Sequence, residues 1–139
     1  MKRVFAVLLG TALLQGCATE HTGIQCRDNF TSEGNVLVGQ RFSTISDLPM
    51  QPASLSFKKA QQVLVKNGYH LEAMDEKSGV ISAYQNVHYS TKTAPVSVII
   101  EPLGQGSRMT ITCVTTAGLY TPSSGAETEF CHLVDETLK

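Results

Sequence analysis

The chain has 139 residues, with 11 basic and 12 acidic side chains and a formal net charge of −1. That is enough for one domain rather than two. No block of Lys or Arg of the kind that displaces counterions from phosphates is present, so nothing in the composition points to nucleic acid, and no internal repeat suggests a solenoid.

At the N-terminus Lys2 and Arg3 precede an apolar run from Val4 to Leu14. The run is too short to remain as a membrane-spanning helix and has the length and charge flank of an export signal. It ends in LLQGC, residues 13–17. An apolar Leu14, a small Gly16 and then Cys17 resemble the lipobox of bacterial lipoproteins, with Gln15 less usual at its place than Ala or Ser. The resemblance implies that residues 1–16 are removed and that Cys17 carries the acyl chains. Three such chains, at roughly 0.8 kcal/mol per buried methylene, would hold far more firmly than one reversible chain. Ala18 stands where lipoproteins retained in the inner membrane usually carry Asp, which implies the periplasmic face of the outer membrane. Loss of Lys2 and Arg3 leaves the mature chain mildly acidic.

Residues 17–35 are rich in Thr, Gly, Ser, Asn and charge and are read as a lipidated flexible tether, with a single domain over 36–139. Val36 to Ile45 is short, β-branched and partly alternating, a first strand. Pro49 and Pro52 interrupt the pattern. Ser54 or Ser56 is then placed to cap a helix whose apolar positions Phe57, Ala60, Val63 and Leu64 share one face, closed by Asn67-Gly68. YHLEAM and GVISAYQNV form a hairpin around Asp75–Gly79. APVSVIIEP and SRMTITCVTT alternate as two further strands, with Val96, Val98 and Ile100 on one side of the first and Met109, Ile111 and Cys113 on one side of the second. Ala126 to Leu138 closes the chain as a helix with Phe130, Leu133, Val134 and Leu138 as its stripe and Glu127 and Glu129 near its positive end. The predicted order β-α-β-β-β-β-α is an α+β domain, an antiparallel sheet of four to five strands with two helices on one face.

The segment GYHLEAMDEKSGVISAYQ, through Gly68, Tyr69, Asp75, Gly79, Ile81, Ser82 and Ala83, together with EFCHLV at Glu129–Val134, resembles the helix-grip domains of the BamC lipoproteins of the outer-membrane β-barrel assembly machine. The likeness covers about residues 36–139. Its motifs are structural, and it brings no catalytic residues with it.

Besides Cys17 the cysteines are Cys26, Cys113 and Cys131, and an oxidising compartment favours one bridge. Cys113 is in phase with the buried strand face and is expected to be a core residue. Cys26 to Cys131 is the expected disulfide, closing a loop of about a hundred residues worth roughly 4–5 kcal/mol in the chain-entropy model. Cys113 to Cys131 is the alternative pairing. A thiol or metal enzyme centred on Cys131 and His132, with His21 and Cys26 as further ligands, lacks both a dyad geometry and paired ligand spacing. His70 and His88 fall in strand-like runs, where structural roles are the default. Asp75 and Glu76 lie in a turn. Gly104-Gln105-Gly106 is a turn rather than a phosphate loop, and Ser123-Ser124-Gly125 lacks the strand that a hydrolase elbow requires. Tyr84, Tyr89 and Tyr120 are candidate surface aromatics. The sequence therefore leads to a noncatalytic, lipid-anchored envelope protein without cofactor or metal, held to the membrane through Cys17 and binding or scaffolding an envelope protein partner. A peptidoglycan-binding structural lipoprotein is the remaining alternative.

Overall fold

The computed structural model describes residues 24–87 and 91–139. The export signal, Cys17, His21, His88 and Tyr89 lie outside the described residues. The elements are α1 (Ile24–Asp28), β1 (Thr31–Asn35), β2 (Gly39–Leu48), α2 (Ala53–Lys66), β3 (His70–Asp75), β4 (Val80–Asn86), β5 (Thr93–Leu103), β6 (Gly106–Val114) and α3 (Ser123–Leu138). The strands form one antiparallel sheet in the order β1-β2-β6-β5-β4-β3. This is the expected α+β architecture, with six strands rather than four or five and a third, short helix ahead of them.

Period-two alternation builds the core. Phe42 and Leu48 on β2, Ile81 and Ala83 on β4, Val96, Val98 and Ile100 on β5, and Met109, Ile111 and Cys113 on β6 are all buried, on the face that α2 and α3 cover. The intervening side chains face outward. There the register aligns Ser43, Thr112, Ser97 and Ser82 in a row across four strands, and the His70 ring stacks on Tyr84 at 5.0 Å.

The expected strand from Val36 is divided differently. Gly34 and Gly39 have φ of 81° and 99°, and the Asn35 side chain accepts the amides of Leu37 (2.8 Å) and Val38 (3.4 Å). These residues turn the chain, so Val36–Val38 form a hairpin loop instead of the start of a strand. Residues assigned from sequence to the tether thus supply α1 and β1, and the described fold begins ahead of the expected boundary at Val36. Five residues of helix have no stability alone. α1 is held from outside, by Gln25 accepting from the Asp47 amide and donating to its carboxylate, and by the Thr44 hydroxyl donating to the Cys26 carbonyl at 2.6 Å.

α2 carries the predicted stripe, with Phe57, Ala60, Val63 and Leu64 buried. Its N-cap is Pro52, without a side-chain cap, so neither Ser54 nor Ser56 has the capping role expected. Ser56 is instead wholly buried. Its hydroxyl pairs with that of Ser107 at 2.6 Å and accepts from Gln51 Nε2, which also donates to the Thr137 carbonyl. A buried hydroxyl must be satisfied, and this cluster pins α2, β6 and α3 together. Gly68, at φ 83°, closes α2 as its sequence implied. α3 begins three residues earlier than expected, at Ser123. Near its end Thr137 is buried in place of Leu138, donating back to the Leu133 carbonyl at 2.8 Å. Lys66 and Asn67 both donate to the Glu136 carboxylate, at 2.8 and 2.7 Å, and so tie the end of α2 to α3.

The sheet has two distinct ends. The proximal end, where the chain enters through α1, carries Asp47, the 49–52 connection, the β3–β4 turn and the β5–β6 turn. The distal end carries the β1–β2 turn, the β6–α3 connection and the start of the β4–β5 connection.

Candidate functional site: an apolar cavity beneath the closing helix

At the distal end the first turns of α3 stand off the sheet and leave a cavity of about 450 Å³. Phe42, Val96 and Cys113 form its sheet-side wall, and Ala126 and Phe130 form its helix side. Gln85, Asn86, Val87, Thr121 and Gly125, all partly or fully exposed, also line it. Where α3 meets the space it presents two small residues, the exposed Gly125 and the buried Ala126.

Two polar groups mark the wall. The buried Tyr69 hydroxyl donates to Glu129 Oε1 at 3.2 Å. Burial, and then the neighbouring Glu129 charge, raise the phenol above its usual range, so it stays protonated, its proton given to Glu129 and its oxygen still able to accept. The Cys113 thiol also lines the cavity, and burial pushes its pKa up to about 11. It is therefore a neutral, apolar wall group at physiological pH rather than a nucleophile. What the cavity can do chemically is enclose an apolar group with one carboxylate at its edge.

The residues singled out from sequence fall in separate places. Cys26 and Cys131 come together, with an S–S distance of 2.07 Å and a sequence separation of 105. Of the two expected pairings this one is present, and among the described residues Cys113 is the free, buried cysteine. The Cys131 sulfur is thereby taken from any catalytic role. His132 points away on the exposed side of α3, its Nε2 3.5 Å from Glu136. Among the described residues no group of three or more His, Cys, Asp or Glu side chains is arranged to hold a metal. Asp75 accepts the amides of Lys77 and Ser78 within its own turn, and its pKa is lowered by the Ser78 hydrogen bonds. Tyr84 lies on the outer sheet face, and Tyr120 is exposed in the β6–α3 connection.

Tyr69 and Glu129 were legible only as parts of structural motifs, the aromatic after a helix stop and a carboxylate near a helix start. Their meeting across 60 positions needed the fold.

No protein-family model matches the chain, and no curated protein matches it. Among solved structures it is similar to Ara h 8.0201, with a TM-score of 0.50 and 11% identity over 70% of this chain and 96% of that one. It is also similar to CalU16 from Micromonospora echinospora, with a TM-score of 0.44 and 10% identity over 78% of this chain and 85% of that one. At such identity the likeness is one of fold, the Bet v1-like helix-grip arrangement in which a sheet wraps a closing helix.

Proposed function

We propose that this chain is a noncatalytic binding protein, held by acyl chains on Cys17 at the periplasmic face of the outer membrane, whose cavity receives an apolar group of another envelope component. The observation that carries the reading is the cavity itself: a mainly apolar space of about 450 Å³ between the start of α3 and the sheet. The space opens to solvent past Asn86 and Gly125 and is lined mainly by apolar side chains, the form of a ligand cleft rather than of unfilled core. The LLQGC stretch supports the anchor. The sequence likeness to assembly-machine lipoproteins supports the same functional class.

The competing reading, a thiol or metal enzyme centred on Cys131 and His132, is disfavoured because the Cys131 sulfur is bonded to Cys26 and His132 faces solvent beside Glu136.

Titration of the oxidised domain from residue 24 onward, without acyl chains and in detergent-free buffer, with N-phenyl-1-naphthylamine, an apolar dye that brightens on leaving water, tests the binding role. Saturable enhancement is expected. Ala126→Phe, which adds a ring from α3 into the space, should weaken it by at least about tenfold. Equal titrations for the two proteins, or no saturable signal from the unaltered one, would remove the cavity from the proposal.

A further inference from the structure

We propose that the distal tip of the domain, formed by Val36–Val38 and Tyr120, enters the surface of a lipid bilayer. This deepens the binding reading, because it names lipid as the surface against which the cavity works, and it rests on that reading's anchored Cys17.

The tip departs from ordinary turn chemistry. Leu37 is 81% exposed, Val38 75% and Tyr120 70%, with Val36 at the same apex. Turns normally carry polar residues, and three consecutive exposed apolar residues on a soluble domain are an error unless they have a use. Part of the apex backbone is satisfied within the fold. The Asn35 carboxamide oxygen accepts the Leu37 and Val38 amides, and the Gly118 amide donates to the Val36 carbonyl at 2.7 Å, joining the two loops into one unit. These two amides and one carbonyl therefore do not resist transfer into an interface. Tyr120 suits the headgroup level, where an aromatic ring with a polar edge is favoured.

The two apical loops themselves, residues 35–41 and 115–122, contain no carboxylate, and the nearest ones are Glu33, opposite Arg41 on β1, and Glu127 and Glu129 on α3. Arg41 stands exposed just behind the tip, and Lys92 donates to the Ala117 carbonyl in the adjoining loop. The apex thus enters a bilayer surface without carrying a carboxylate into it, with Arg41 and Lys92 placed behind it at headgroup level.

The tether length is compatible. From Cys17 to Gln25 the chain reaches at most about 29 Å, and β2 from Asp47 back to Gly39 spans about 26 Å. With its anchor in the bilayer the domain can lie along the surface with the tip in the same leaflet. Thr115 and Thr121, on either side of Tyr120, line the cavity, so this orientation sets the cavity beside lipid.

The chain contains no tryptophan, so a single introduced indole reports its own depth. Leu37→Trp and Met50→Trp both replace exposed side chains, at opposite ends of the sheet. Each full-length, lipidated variant is reconstituted into phosphatidylethanolamine–phosphatidylglycerol vesicles with brominated acyl chains. The expected result is blue-shifted, bromine-quenched emission from position 37 and water-like, unquenched emission from position 50. Adding Val38→Asp to the Leu37→Trp protein should reverse the shift. Quenching at position 50, at both positions equally or at neither overturns the inference. Palmitate labelling of the same preparations reports the anchor separately, and the dye titration reports the cavity, so failure of the tip is distinguishable from failure of either.

Discussion

Replacing Cys26 with serine isolates what the disulfide contributes. The bridge spans a sequence separation of 105, and the chain-entropy model assigns about 4.7 kcal/mol to closing a loop of that length in the unfolded state. Little else changes. The Cys26 position is fully buried, and Thr44 Oγ1, 3.7 Å from the Cys26 sulfur, stands where a serine hydroxyl can be partnered. The Cys26 carbonyl still accepts from Thr44, and Phe30, stacked on Phe42 at 6.2 Å and edge-on to Phe130 at 6.1 Å, still pins the segment after α1. The expected loss is therefore about 3–5 kcal/mol, equivalent to a fall in Tm of roughly 15–20 °C for a domain of this size. Urea unfolding of the oxidised protein, of Cys26→Ser and of Cys26→Ser/Cys131→Ser would measure it. The double variant should match the single one, because both remove the same link. In Cys26→Ser, amide exchange should rise first across 24–30, since a five-residue helix without its staple opens locally. A loss below about 1 kcal/mol would refute the loop-closure reasoning, and a nonreducing peptide map linking Cys113 to Cys131 would refute the pairing.

Acid should act through Glu136. Hydrogen bonds from Lys66 and then Asn67 hold its pKa down, from 4.5 to about 2. A depressed carboxylate stabilises the fold above its unfolded pKa, and that contribution is lost as pH falls from about 4.5 to about 2. Urea midpoints followed from pH 5 to pH 2 should drop across that window, and the drop should be smaller in Glu136→Gln; identical slopes would contradict the assignment. The anchor is checked by Cys17→Ser, which should abolish palmitate labelling and leave the precursor unprocessed, because the thiol is the group to which acyl-transfer chemistry adds. Label entering that variant would show that LLQGC was misread.

The sequence by itself determined the elements whose signal is local. The stripe Phe57, Ala60, Val63 and Leu64 specifies α2 because each buried position recurs within one turn. Alternation along 94–102 and 107–113 specifies β5 and β6 because one face is covered and the other is not. Gly68 and Gly79, both at positive φ, mark the helix stop and the hairpin, and at Gly79 a Cβ would collide with the Ile100 carbonyl. β1 gave no such signal. It is an edge strand with all five residues exposed, so neither face imposes a pattern on its composition, and it reads as a tether. α1 was hidden for a related reason, since its stability comes from Cys131, Thr44 and Asp47, each distant in the chain. Tertiary structure alone decided the cavity and the tip. The cavity is the volume left between α3 and four strands, and no single segment encodes a volume. Val36–Val38 carry the composition of a strand, and only Asn35 and two left-handed glycines turn that run outward into an exposed apex.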